Sequence, residues 1–389
     1  MTKILKDIRV VEMGTFITGP AAAMYMADQG ADVIKVERPE TGDPFRAFKG
    51  GLYSPHFQTY NRNKRSIALD TRQPEDQAVL HELIKTADVF IQNFRPGVAE
   101  KLGAGEETLR AINPRLIYCS ISGFGTSGPA MDRPAFDTVA QAASGYLRLL
   151  VPHDKPRVLG PAIADAVTGF YASYGILAAL VERGTSGKGR RVDVSMLEAM
   201  CHFNLDSFTH YFSMNEVMDP YSRPSVSQSY VFECADGKWV ALHLSSPPKF
   251  WDGLAAAIEK PDLFDDPRFA DRAARIKHQD DLIDLMAPIF RRHDRAYWCD
   301  RLEAEGVPYS AAYDSDEALE DPQARHLKIK VSTHHPVMGE FTTVRSPLSY
   351  DGAASLDVLA PPMLDEHGAE IRAELAGQNG SVRNQGAAE

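Results

Sequence analysis

One acid opens a long apolar run in the segment Pro161–Leu180, which reads PAIADAVTGFYASYGILAAL. Asp165 sits at the mouth of what the small-residue pattern predicts to be a mostly buried helix. A carboxylate there has two uses. It can cap the helix by accepting hydrogen bonds from the free N–H groups of the first turn, or it can serve as a nucleophile held ionised by the helix dipole. Taken alone, the segment reads as a cap. Asp137, in Arg133–Gln141 (RPAFDTVAQ), precedes a second apolar helix and admits the cap reading too. A third group is basic. Asn61–Asp70 (NRNKRSIALD) places Arg62, Lys64 and Arg65 just before a short apolar run. By itself this is a solvated turn before an edge strand. With Arg38, Arg46, Arg95 and Lys101 it offers charge for phosphates, and arginine adds bidentate contacts and stacking on a purine.

Two phosphate-site look-alikes fail on spacing. A strand, a glycine-containing turn, a helix and a strand ending in Glu37 imitate a dinucleotide site. Gly14 and Gly19 bracket four residues, however, so the GxGxxG fingerprint is absent, and Arg38 beside Glu37 is unusual for an NAD ribose site. Gly184–Arg190 (GTSGKGR) lacks the Walker spacing and follows a helix, which makes it a turn into the strand Arg191–Ser195.

The elements that must position these groups alternate. Strands are expected at Ile8–Met13, Asp32–Val36, Asp88–Ile91 and Leu116–Ser120. Helices are expected at Ala21–Gln29, with Pro20 at its first position, and around residues 73–86 and 106–111. Such alternation implies an α/β fold with a parallel sheet. Ligands bind beyond the carboxyl ends of strands in such sheets, where the loops Gly14–Gly19, Glu37–Arg46, Gln92–Gly97 and Ser122–Pro129 fall. A long helix over about Met196–Phe212 and a polar connector, Met218–Ser229, follow. The pattern then changes to a hairpin, Tyr230–Cys234 and Lys238–Leu242 around Ala235–Gly237, with helices from Lys249, Gln279 and Arg295. That is the signature of a smaller α+β domain. Short strands near Ile329–Thr333 and Phe341–Val344 are expected to rejoin the first domain, and the tail from Gly377 to fray.

A chain of 389 residues suggests two domains. Its formal net charge of -11 argues against nucleic acid or an anionic membrane surface as partner. No run reads as long and charge-free enough to cross a bilayer, and the N-terminus has no signal-peptide pattern. The 4 cysteines, Cys119, Cys201, Cys234 and Cys299, are scattered, without a zinc pattern. They read as free core thiols of a reducing cytoplasm, and no metal site is expected.

In order along the chain, these segments resemble the class III coenzyme A-transferases, the CaiB/BaiF family of formyl-CoA transferase, carnitine CoA-transferase and α-methylacyl-CoA racemase. The resemblance is carried by Ala31–Glu37 after the opening strand–GP–helix, Asn63–Ile67, Asn93–Gly97, Gly123–Pro129, the Asp165 segment, Gly306–Pro308 and Leu364–His367. It implies a cytoplasmic transferase whose Asp165 attacks an acyl-CoA thioester and passes CoA to a carboxylic acid acceptor, through an aspartyl anhydride and an aspartyl–CoA thioester. CoA and acyl-CoA are then substrates, and no cofactor is permanently bound. It places Arg38 on the adenine. It puts Ile17, Thr18, Leu69, Asp70, Thr71, Arg72, Asn93, Phe94, Arg95 and Lys101 along the CoA site. Asp137 falls beside the thioester, with Ala135 and Phe136 adjacent. The implied fold is a Rossmann-like large domain and a small α+β domain in an open ring, two of which interlock as a homodimer. The implied division is 1–200 for the N-terminal part of the large CoA-binding domain, 201–228 for a linker helix and connector, 229–312 for the small domain, and 313–389 for the return linker and the rest of the large domain. The alternative is the racemase branch, which requires a second acid/base histidine where this chain has Phe136. Formyl/oxalate members carry Gln where this chain has Ile17, and a glycine-rich loop where it reads Arg223–Ser229. A third reading, a non-enzymatic CoA-binding homologue, is disfavoured by the intact Asp165.

Overall fold

The computed structural model describes residues 3–385. Packing divides the chain into two units. One comprises Met1–Leu147, Val158–Leu205 and His326–Glu389, the other Arg148–Arg157 and Asp206–Arg325.

The first unit runs β1 (Arg9–Glu12), α1 (Thr18–Ala27), β2 (Asp32–Glu37), α2 (Pro55–Asn61), β3 (Lys64–Ala68), α3 (Pro74–Thr86) and β4 (Val89–Gln92). It continues with α4 (Val98–Lys101), α5 (Glu106–Ile112), β5 (Ile117–Ser122), α6 (Asp137–Ala143), α7 (Ile163–Ser186), β6 (Arg191–Ser195) and α8 (Met196–Phe203). The strands form one parallel sheet in the order β3-β2-β1-β4-β5-β6. That is the order of dinucleotide-binding sheets, so the Rossmann-like expectation holds. Both faces are buried, which is why the strands read as nearly continuous apolar runs. Val10, Val33, Ile91 and Cys119 pack with Ala22 and Met26 of α1 and Ala172 and Ile176 of α7. Their alternates Val11, Ile34, Phe90 and Tyr118 pack with Leu80, Leu83 and Leu109 on the opposite face.

The second unit holds most of α9 (Leu205–Met214), then α10 (Ser222–Ser227), β7 (Ser229–Glu233), β8 (Trp239–His243), α11 (Pro248–Ala257), α12 (Arg272–Lys277), α13 (Gln279–Phe290), α14 (Arg295–Ala304), β9 (Tyr309–Ala312) and α15 (Ser315–Glu320). Its antiparallel sheet is ordered β7-β8-β9. Phe232, Phe290, Trp298 and Leu254 centre its core. After α16 (Pro322–His326) come β10 (Lys330–His335), β11 (Gly339–Val344), the short pair β12 (Ser349–Tyr350) and β13 (Ala353–Ala354), and α17 (Gly368–Gln385). Ile371 and Leu375 of α17 join the α3–α5 side of the large sheet.

Several expectations change. α1 begins at Thr18, ahead of Ala21. Pro20 is its third residue, where the missing N–H is still one no helix bond would use. The long helix breaks at Asn204 (φ -94°, ψ 27°) into α8 and α9. The connector is partly helical as α10, whose N-cap is Tyr221; just before it, Asp219 Oδ1 accepts from Ser222 N at 2.8 Å. β10 and β11 do fall in the first unit, as expected, and pair there with each other and not with the large sheet. α17 runs to Gln385, and the rest of the tail expected to fray lies outside the described residues. α7 has the length and mean hydropathy, 24 residues and 1.3, of a membrane span. That departs from the sequence expectation; one face of α7, with Ala172, Ile176 and Ala179, packs against α1 and the sheet, while Phe170, Tyr174 and Val181 are exposed.

Candidate active site

The order of the sheet reverses between β1 and β4, and the loops after these strands meet there. The Asn93 side chain ties them together. Its Oδ1 accepts from Thr15 N at 2.9 Å, and its Nδ2 donates to Thr15 O at 2.8 Å and Thr18 Oγ1 at 2.9 Å. Asn93 therefore shapes the Thr15–Thr18 turn that opens α1. Phe16 holds a left-handed backbone at φ 62°, and its N–H donates to Asp43 Oδ1 at 3.2 Å.

Beneath this turn lies a buried charge network. Lys35 Nζ meets Glu12 at 3.1 Å and Asp43 at 3.1 Å and donates to Gly14 O at 2.9 Å. Parallel register places Glu12 opposite Lys35, and Lys64 Nζ reaches Glu12 from the edge strand at 3.1 Å. Burial lowers the Lys64 pKa to about 8, against the opposing pull of Glu12. Arg46 forks onto Glu37 at 2.7 and 2.8 Å. Burial raises the Glu37 pKa, but the Arg46 bonds and charge outweigh it and leave the group below its ordinary value. These pairs remove residues read as phosphate ligands. Arg62 is paired with Asp28, Arg65 with Asp32 and Glu374, and Lys64 and Arg46 as described. Glu37 is likewise engaged by Arg46 and is not free for a ribose.

Two cavities open on the carboxyl ends of the strands and share Thr15, Phe16 and Phe94 as wall. The larger, about 880 Å³, is lined by Arg38, Leu69, Asp70, Thr71 and Arg72. Several acids on its wall are already neutralised: Glu37 by Arg46, Asp43 by Lys35 and Asp70 by Arg72. The smaller, about 340 Å³, is lined by Ile17, Thr18, Asn93 and Arg95, by Arg133, Ala135 and Phe136, and by Asp165. Lys101, the exposed last residue of α4, lines neither cavity, and nor does Asp137.

Asp165 is the third residue of α7, whose N-cap Ala162 makes no side-chain cap bond. Neither cap reading of the aspartates holds in its simple form. Asp137 is the first residue of α6, yet it caps α7. Its Oδ1 accepts from Ala164 N at 2.8 Å and Asp165 N at 3.3 Å, while Gln141 Nε2 donates to Oδ2 at 2.6 Å. Asp165 accordingly makes no cap and faces the cavity. Burial, then the Asp137 charge, raise its pKa to about 7. Desolvation and a like charge therefore oppose the helix dipole that was expected to keep this group ionised.

The α1–α7 crossing fixes its position. A Cβ on Gly169, one turn after Asp165, would lie 2.9 Å from Thr18 O and 2.9 Å from Ala21 Cβ. Glycine lets α7 rest on the first turn of α1, so the Asp165 turn abuts the Thr18 turn.

The sequence reading missed Arg133. Among the described residues, Arg38, Arg95 and Arg133 line the cavities without a carboxylate partner, whereas Arg46, Arg62 and Arg65 are paired. The available signal was its place in Arg133–Asp137, four residues before Asp137. No group of three or more His, Cys, Asp or Glu among the described residues is arranged to hold a metal.

The chain is thus an α/β protein whose six-stranded parallel sheet gathers an acid, and arginines without a carboxylate partner among the described residues, beyond the carboxyl ends of its strands. Comparison with known proteins supplies the family. The family model for CoA-transferase family III matches residues 5–368. The chain is 33% identical over 379 residues to the succinyl-CoA–D-citramalate CoA-transferase of Chloroflexus aurantiacus, covering 96% of this chain and 94% of that one. It is 34% identical over 391 residues to the formyl-CoA:oxalate CoA-transferase of Streptomyces avermitilis, covering 95% of each. The crystal structure of a CaiB/BaiF family protein from Brucella suis superposes with a TM-score of 0.86 at 31% identity, over 96% of this chain and 100% of that one. The chain belongs to CoA-transferase family III and is a transferase enzyme.

Proposed function

We propose that the protein moves CoA from an acyl-CoA donor to a carboxylic acid acceptor with Asp165 as nucleophile. The observation that carries this is the placement of Asp165, a carboxylate left out of the capping bonds of its own helix and turned into the smaller cavity. The Asp165 carboxylate attacks the thioester carbonyl, and the C–S bond breaks to give a mixed anhydride and CoA thiolate. The thiolate attacks the aspartyl carbonyl and releases the donor acid as a carboxylate. The acceptor carboxylate then attacks the aspartyl–CoA thioester, expelling thiolate and forming a second anhydride. Thiolate attack on the acceptor carbonyl yields the new acyl-CoA and restores Asp165. Each step exchanges one activated acyl bond for another, so the sequence is nearly balanced in energy.

α1 supplies the electrostatic help. It has no side-chain cap, so the N–H groups of Thr18 and Gly19 stabilise the oxyanion that forms beside Asp165. The nucleotide of CoA lies in the larger cavity against Arg38 and Arg72, and the pantetheine passes the Phe16–Phe94 wall. Arg95 takes a CoA anion near that wall. Phe136, in place of an acid/base side chain, stands in the cavity wall and favours transfer over epimerisation.

A homodimer is part of the proposal. Phe170, Tyr174 and Val181 leave α7 at 61, 66 and 78% exposure. Aromatic and branched side chains on such a stripe are suited to a protein partner, here a second copy interlocked with the first. Native mass spectrometry is expected to give twice the chain mass.

The functional test is Asp165→Ala in an acyl-CoA plus acceptor assay followed by mass spectrometry. Transfer is expected to fall below detection while the fold, read by circular dichroism, is unchanged. Transfer at the wild-type rate refutes the mechanism.

A further inference from the structure

One arginine of the smaller cavity has no role in the coenzyme placement proposed above. Three charged residues line it: Arg95, Arg133 and Asp165. Neither arginine is paired with a carboxylate among the described residues. Arg133 is exposed, but its loop is anchored. Its guanidinium lies 5.0 Å above the Phe124 ring. Its loop is pinned two residues on, where Ala135 packs so closely on Gly123 that a Cβ there would lie 2.3 Å from the alanine Cβ. Two residues further, Asp137 binds the amide of Asp165. Arg133 thus belongs to the loop that leads to the nucleophile, whereas Arg95 follows Asn93, on the side of the shared wall.

Pantetheine and thioester are uncharged, so the free anions that enter this end of the site are the acids being exchanged. A reacting carboxylate must stay free to attack the carbonyl on Asp165. The carboxylate that the Arg133 guanidinium holds is therefore a second one. We propose that Arg133 is a specificity residue that binds the non-reacting carboxylate of a short dicarboxylic acid, making dicarboxylates the substrate class. This rests on the transferase reading of the cavity. Planar bidentate pairing suits arginine in this role.

The test separates the two ideas by measuring binding without turnover. Asp165→Asn protein loaded with CoA is titrated calorimetrically with succinate, glutarate and butyrate. Succinate or glutarate is expected to bind at least about tenfold more tightly than the monocarboxylate, the effect of one charge-assisted contact. Adding Arg133→Gln is expected to abolish that difference and to leave CoA affinity within about twofold, one contact being lost, whereas Arg95→Gln weakens CoA instead. Equal binding of butyrate, no binding of either diacid, a preference that survives Arg133→Gln, or loss of CoA affinity in Arg133→Gln each overturns the proposal. Failure of the transferase reading would show instead as undiminished turnover in Asp165→Ala.

Discussion

Replacing Asp137 with Asn removes a negative charge from beside the nucleophile while keeping the cap. The asparagine Oδ1 still accepts from Ala164 N and Asp165 N. The side that now donates faces Gln141, and a flip of the Gln141 amide lets its Oε1, buried without a partner in the wild type, accept that bond. The wild-type Asp165 pKa is raised from 3.8 to about 7, a cost of ionisation of about 4 kcal/mol. Burial is the larger cause and remains in the variant. The Asp137 charge accounts for at most about half, roughly 2 kcal/mol, or about 1.5 pH units. The ionised form is the nucleophile, so kcat/KM for the acyl-CoA rises with pH through the Asp165 pKa. The assay is release of CoA thiol against pH. The wild-type acid limb is expected near pH 7, and that of Asp137→Asn lower by up to about 1.5 pH units but still above that of an exposed aspartate. An unmoved or raised limb refutes the coupling. A collapse of kcat without any shift would make Asp137 a proton donor in its own right.

Three further outcomes follow from the same contacts. A carboxylate whose pKa is raised by folding costs stability once ionised. The Asp165 penalty is thus absent below about pH 4, grows between pH 4 and 7, and is full above pH 7. Asp165→Asn is expected to be more stable than wild type at pH 8, by up to about 4 kcal/mol in urea unfolding, with no gain at pH 4; equal stability at pH 8 refutes the burial argument. Arg46→Met leaves Glu37 buried without its fork and is expected to lose about 3–5 kcal/mol in the same assay; a loss below about 1 kcal/mol, the range of an exposed pair, would contradict this. Gly169→Ala forces α7 away from Thr18 O, and kcat is expected to fall roughly tenfold or more through misplacement of the nucleophile, with KM for acyl-CoA little changed; an unaltered kcat would show that the crossing does not position Asp165.

The parallel sheet was legible because strands buried on both faces leave continuous apolar runs with helices between them. Asp165 was legible as an acid in an unusual place, but not its relation to Asp137. The two are brought together by the packing of α6 on α7, and no local pattern encodes which of them caps the helix. The basic cluster misled for a related reason. Arg62, Lys64 and Arg65 find Asp28, Glu12 and Asp32 only through strand register and the return of the chain across the sheet. Composition reveals a charge but not whether it is already paired. Arg133 went unnoticed because its significance lies in lacking a partner, which only the folded chain reveals. Asn93 was expected to line the CoA site and does line the smaller cavity, but its amide is committed to the Thr15–Thr18 turn.

The most direct test of the account is to trap the covalent enzyme. Wild-type protein is mixed with an acyl-CoA in the absence of acceptor, quenched in acid, digested and analysed by mass spectrometry. The peptide containing Asp165 is expected to carry CoA as a thioester, convertible by hydroxylamine to the hydroxamate of that aspartate, and the adduct is expected to be missing from Asp165→Asn. An adduct on any other residue, or turnover with acceptor while no adduct forms at Asp165, would contradict it.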